Sequence, residues 1–92
     1  MDRIRVPVRA YRGSNPKKRE DARRKALLAH KIEDYLNRRW DEHEEGYLVI
    51  MYHEIALDLG EDLEEVSEVA FSVQAGGNGM TFFKEPKTSQ NE

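Results

Sequence analysis

Ninety-two residues, 38% hydrophobic and 36% charged, suffice for one small core and exclude two independent ones. The chain has no cysteine, which rules out a disulfide framework and a thiolate metal site. Its net charge of −3 divides into a basic front, residues 1–40 with 13 Lys and Arg against 5 acids (net +8), and an acidic rear, residues 41–92 with 2 Lys against 13 acids (net −11).

The first segment, Arg3 to Tyr11, alternates. Ile4, Val6, Val8 and Ala10 point one way and Arg3, Arg5 and Arg9 the other, the period of a half-buried strand. Pro7 lacks a backbone donor, so residues 1–15 are expected to form an edge strand or a basic extended arm. Gly13-Ser14-Asn15-Pro16 breaks this segment. A long helix follows, starting between residues 16 and 20. Asn15 and Pro16 suit its cap, whereas Lys17, Lys18 and Arg19 oppose its dipole. Leu28, Ile32, Tyr35, Leu36 and Trp40 recur at fours and threes and form its apolar face, with Ala22, Ala26 and Ala29 allowing close approach. The helix is expected to fray across Asp41–Glu45 and to end by Gly46. Tyr47–Met51 reads as a short strand or as the first turn of the next helix.

Tyr52–Val69 is the most informative stretch. Ile55, Ala56 and Leu59 give a short helical pattern, and Gly60 tolerates the positive φ that ends it. Asp62 and Glu65 read as a capping box for a second helix over about 62–72, with Leu63, Val66 and Val69 as its apolar stripe. Ala56 sits where the two helices would cross. This spacing resembles the helix-turn-helix signature. Gly76-Gly77-Asn78-Gly79 between Val73–Ala75 and Met80–Lys84 reads as a hairpin turn. Together these features resemble a winged-helix domain over about residues 20–84. The expected fold is α+β and mainly helical: three helices, a C-terminal hairpin wing made around Gly76, Gly77, Asn78 and Gly79, and an N-terminal strand against the hairpin edge. The domain would occupy residues 16–84 and a disordered polar tail residues 85–92.

In winged-helix proteins the second motif helix commonly enters the DNA major groove, and the wing touches phosphates. The resemblance therefore implies a DNA-associated regulator. Here, however, that helix carries Glu61, Asp62, Glu64, Glu65 and Glu68 and no cation, which a phosphate every ~1.7 Å of duplex would repel. The cationic candidates are Arg3, Arg5, Arg9 and Arg12 on the arm, and Lys17, Lys18, Arg19, Arg23, Arg24 and Lys25 at the start of the long helix. The expectation is contact with double-stranded DNA through this front. The alternatives are internal neutralisation of the two halves, or a protein-interaction or dimerisation module using Glu61, Glu64, Glu65 and Glu68 or the wing.

Catalysis is not expected. His53-Glu54 opens like a zinc-protease helix, but the second histidine position is Leu57. His43 stands among Glu42, Glu44 and Glu45 without a second histidine, and His30 has no ligand pattern around it. Gly76–Gly79 has neither the Lys-Ser/Thr pair nor the following helix of a phosphate loop. No cofactor or metal is expected. No apolar run reaches a membrane span or the core of a secretory signal, so the expected setting is the cytoplasm with no membrane partner. Tyr35, Trp40 and Phe71 are expected in the core, and of Phe82 and Phe83 one faces inward by strand alternation.

Overall fold

Helix α1 (Pro16–Glu42) begins where the Asn15 side chain accepts hydrogen bonds from the Lys17 and Lys18 backbone N–H groups at 2.9 and 3.3 Å. With Pro16 at the first helical position, this cap outweighs the unfavourable cations of the first turn. The structure is a computed structural model that describes residues 3–8, 11–74 and 77–86. After α1 come β1 (Gly46–Met51), α2 (Tyr52–Leu59), α3 (Leu63–Ala70) and β2 (Gly79–Lys84). The described residues thus form an α+β fold of three helices and one two-stranded antiparallel sheet, in which Gly46 lies opposite Lys84 and Met51 opposite Gly79.

The apolar face of α1 is buried as its spacing predicts: Leu28, Ile32, Tyr35, Leu36 and Trp40 all lie in the core, with Ala29 beside them. Against this face pack Leu48 and Ile50 of β1, Ile55 and Ala56 of α2, Val66 and Ala70 of α3, and Met80 and Phe82 of β2. Gly60 ends α2 with φ +66°, the left-handed conformation that favours glycine. Asp62 caps α3 by accepting from Glu65 N–H at 3.2 Å. Only that half of the expected capping box forms, because the Glu65 carboxylate turns to Arg24 instead.

Several expectations are corrected. β2 pairs with β1, and the described residues 73 and 74 form no local hairpin strand with it; Ala75 lies outside the described residues. The contact sought there survives as one side chain: the Gln74 carboxamide donates to Thr81 C=O at 3.0 Å and accepts from Thr81 N–H at 2.9 Å, doing for one residue what a third strand does for many. Nor do the described arm residues 3–8 pair with the sheet. Asn37 on α1 accepts from Ile4 N–H and donates to Ile4 C=O, both at 2.8 Å, which pins the arm along the helix. Ile4 and Val6 are buried there as the alternation predicts, but Val8 is exposed; Ala10 lies outside the described residues. On α3 the buried line is Val66 and Ala70, with Val69 packed against it, while Leu63 and Phe71 are exposed. Leu63 shares its side of the cylinder with Ala70, seven residues on, but stands in the first turn, and Phe71 is the residue that follows the helix. Phe82 is the inward member of its pair and Phe83 the outward one. Residues 87–92 of the expected tail lie outside the described residues.

Lys84 ties the sheet to the end of α1. Its ammonium donates to Trp40 C=O at 2.8 Å and His43 C=O at 2.7 Å, neutralising the negative end of the helix dipole, and sits 5.2 Å from the Trp40 ring centroid. The sheet therefore occupies the C-terminal end of α1. The first turns of the helix lie roughly 40 Å away, at 1.5 Å of rise per residue.

Candidate nucleic-acid interface

The charged halves of the sequence meet in the fold. The segment 24–31 of α1 runs antiparallel to residues 61–68, so its cations face the glutamates of the motif. Lys31 pairs with Glu61 at 2.9 Å, Lys25 with Glu68 at 3.2 Å, and Arg24 with both Glu65 and Asp21. The Glu65 hydrogen bond, and after it that of Asp21, holds the Arg24 guanidinium above its ordinary pKa. The Glu68 hydrogen bond raises Lys25 in the same way, and the Arg24 hydrogen bond lowers Asp21. These pairs lie at the surface, where each contributes little to stability. Their larger effect is to occupy the acidic face. Of Glu61, Glu64, Glu65 and Glu68, only Glu64 makes no ion pair among the described residues.

The ten basic candidates do not form one patch. Arg3 pairs with Asp41 at 3.5 Å, near the C-terminal end of α1. Arg5 is exposed along the arm, and Arg9 lies outside the described residues. Arg24 and Lys25 are engaged by the acids of α3. What remains is a basic tip formed by Arg12, Lys17, Lys18, Arg19 and Arg23, all exposed and none in an ion pair among the described residues. Arg19 reaches back to Gly13 C=O at 3.3 Å, which holds the turn against the helix. Lysine and arginine stems of this kind, on a rigid helix end and without carboxylate partners, leave their charges available to phosphate oxygens.

An open groove of about 770 Å³ adjoins this tip. Tyr11 of the arm, Ala22 and Ala26 of α1, and Val69 and Phe71 at the end of α3 line it, together with Lys18. Of the wing residues, Gly77 and Asn78 form the turn into β2 and Gly79 its first position, while Gly76 lies outside the described residues. The described turn residues Gly77, Asn78 and Gly79 bear no charge.

Two groups that shape this arrangement escaped sequence reasoning. Asn37 is a polar residue of α1 that the apolar spacing does not single out, yet it is buried and fixes the course of the arm. Gln74 sat in a presumed strand. The pairing of Arg24, Lys25 and Lys31 with α3 carried a readable signal, because those cations flank the apolar face of α1 just as the glutamates flank that of α3.

Among the described residues, no three His, Asp or Glu side chains converge on a metal position. His43 Nε2 lies 3.2 Å from Gly46 C=O. No described helix is long and apolar enough to cross a membrane. No family model, curated protein or solved structure matches the chain.

Proposed function

We propose that this is a non-enzymatic, winged-helix-like cytoplasmic protein that associates with double-stranded DNA in transcriptional regulation. It would hold the phosphate backbone through the basic tip, Arg12, Lys17, Lys18, Arg19 and Arg23, without inserting α3 into the major groove. The winged-helix reading is supported by the α2–Gly60–α3 motif followed by a strand that returns to a sheet. The observation that carries the DNA reading is the gathering at one end of α1 of five cations without carboxylate partners among the described residues. The outer line of α3, with Leu63, Glu64 and Phe71 exposed, offers no cation for a phosphate and no donor for a guanine.

Fluorescence anisotropy of a labelled duplex, titrated at several salt concentrations, tests the proposal. If all five cations displace counterions, the logarithm of affinity falls with the logarithm of salt at a slope of about −4 to −5. Changing Lys17, Lys18, Arg19 and Arg23 to Gln should reduce that slope to about −1. Absence of binding at low salt, or a slope unchanged in the variant, refutes it.

A second reading, docking of a protein on the motif, is favoured by the exposed Leu57, Leu63 and Phe71. Apolar side chains on a face that ought to meet DNA suit a protein partner better than a phosphate backbone. A partner whose capture is lost in Leu63→Ser, while DNA affinity is kept, would select this reading for that face.

A further inference from the structure

The two edges of the sheet are finished differently. On the outer edge of β2, the Gln74 carboxamide takes both the N–H and the C=O of Thr81. Since those groups point away from β1, antiparallel alternation assigns the β1–β2 bonds to Leu48 and Ile50 and turns the backbone groups of Tyr47 and Val49 outward. The Tyr52 N–H, bonded to Asn78 C=O at 2.8 Å, keeps the same parity. The next outward N–H, that of Met51, is already taken by the Glu54 carboxylate at 2.9 Å. Tyr47 and Val49 are therefore the two consecutive outward positions of β1 with no partner among the described residues.

Their side chains are 71% and 51% exposed, and they share the open face of the sheet with Phe83, itself 51% exposed. The Tyr47 and Phe83 rings lie 5.0 Å apart. β1 reads Gly-Tyr-Leu-Val-Ile-Met. It has no proline and no charged residue of the kind that keeps strand edges from pairing.

An edge with two such positions is complementary to itself. We infer that β1 is the contact of a homodimer, in which a second copy of this chain lays its own β1 antiparallel alongside. Tyr47 of each copy faces Val49 of the other, and each such pair exchanges two N–H···O=C bonds. The engagement of Met51 by Glu54 selects this register over the one centred on Val49, which would require the Met51 N–H. The sheet becomes four-stranded, in the order β2–β1–β1–β2, and its open face gathers Phe83, Tyr47 and Val49 from both copies into one apolar surface.

The two outward positions, Tyr47 and Val49, match their own two-fold image, which makes a second copy the occupant. In this register Glu44 and Glu45 of one chain lie beside Tyr52 and Met51 of the other, at the amino-terminal end of α2. There two carboxylates meet the exposed His53, beside Glu54, whose carboxylate already accepts from Met51 N–H and lies 3.9 Å from the Arg39 guanidinium. The two-fold axis repeats this on the other side, and no like charges oppose each other within the strands.

Sedimentation equilibrium of the full chain, from low micromolar to about 1 mM, should give a mass rising from 10.8 kDa towards twice that value. Val49→Lys places a charge on the edge and should weaken the dimer at least ~10-fold, while circular dichroism reports whether the fold is kept. Hydrogen exchange on the wild type supplies a readout independent of that variant. The Tyr47 and Val49 amides should become protected as concentration rises, in step with the mass. A mass of 10.8 kDa at every concentration, a dimer undisturbed in a folded Val49→Lys, or a dimer whose Tyr47 and Val49 amides exchange freely would each overturn the inference.

Discussion

Replacing Asn37 by Ala removes one buried carboxamide that makes three hydrogen bonds: two with the backbone of Ile4 at 2.8 Å and one to Glu33 C=O at 2.9 Å. If the arm stays in place, the Ile4 N–H and C=O are left against α1 without partners, at about 1–3 kcal/mol each. If the arm instead lifts away, Ile4 and Val6 lose their burial, at roughly 1.5–3 kcal/mol each. The chain takes whichever response is cheaper, so the expected loss is about 2–4 kcal/mol. That is a large part of the stability of a small domain. In urea, with a slope of about 1–3 kcal/mol per molar, the unfolding midpoint should fall by roughly 1–2 M. The decisive comparison repeats the substitution in a chain lacking residues 1–8, where its partners are gone and the extra loss should be under about 1 kcal/mol. A loss below about 0.5 kcal/mol in the full chain, or an equal loss with and without the arm, would refute the reasoning.

Gly60→Ala should cost about 1–2 kcal/mol from backbone strain alone, because φ is +66° and a methyl there meets nothing within 4 Å; a neutral result in thermal unfolding would contradict it. Gln74→Ala should cost about 1 kcal/mol and speed amide exchange at Thr81, without disturbing the Leu48 and Ile50 amides; unchanged exchange at Thr81 would show that the carboxamide is not the partner. The Arg24 hydrogen bond depresses the Asp21 pKa in the folded state. The stabilisation this reflects is present above the unfolded carboxylate pKa and is lost as pH falls through the folded one. Wild type and Asp21→Asn should therefore differ in urea midpoint near neutrality and converge in acid, below the ordinary carboxylate range. A difference that persists or grows in acid would run against that sign.

The helices were legible because periodicity and punctuation agree. Leu28 through Trp40 keep one face, and Gly60 and Asp62 mark a stop and a start in adjacent turns. β1 and β2 were legible as segments but not as partners. Val73–Ala75 stands nearest β2 in sequence, yet β1 supplies the Leu48 and Ile50 side chains that cover the core, and burial decided the pairing. Propensity could not foresee that a single glutamine would finish the other edge. The division of charge was plain in the sequence, but whether opposite charges meet depends on the side of each helix that carries them. The antiparallel passage of α1 past α3 brought Arg24, Lys25 and Lys31 against Glu65, Glu68 and Glu61 and left the tip unpaired. Asn37 was hidden because a carboxamide on a helix has the same composition signal whether it meets water or a second strand of backbone.

The most direct test of DNA contact through the tip is a two-dimensional amide NMR spectrum recorded while a short duplex is added at low salt. If the tip holds the phosphates, the shifts concentrate on residues 11–23 and leave the amides of Leu63, Glu64, Ser67 and Phe71 in place. Shifts centred on α3, with residues 11–23 unmoved, would contradict it.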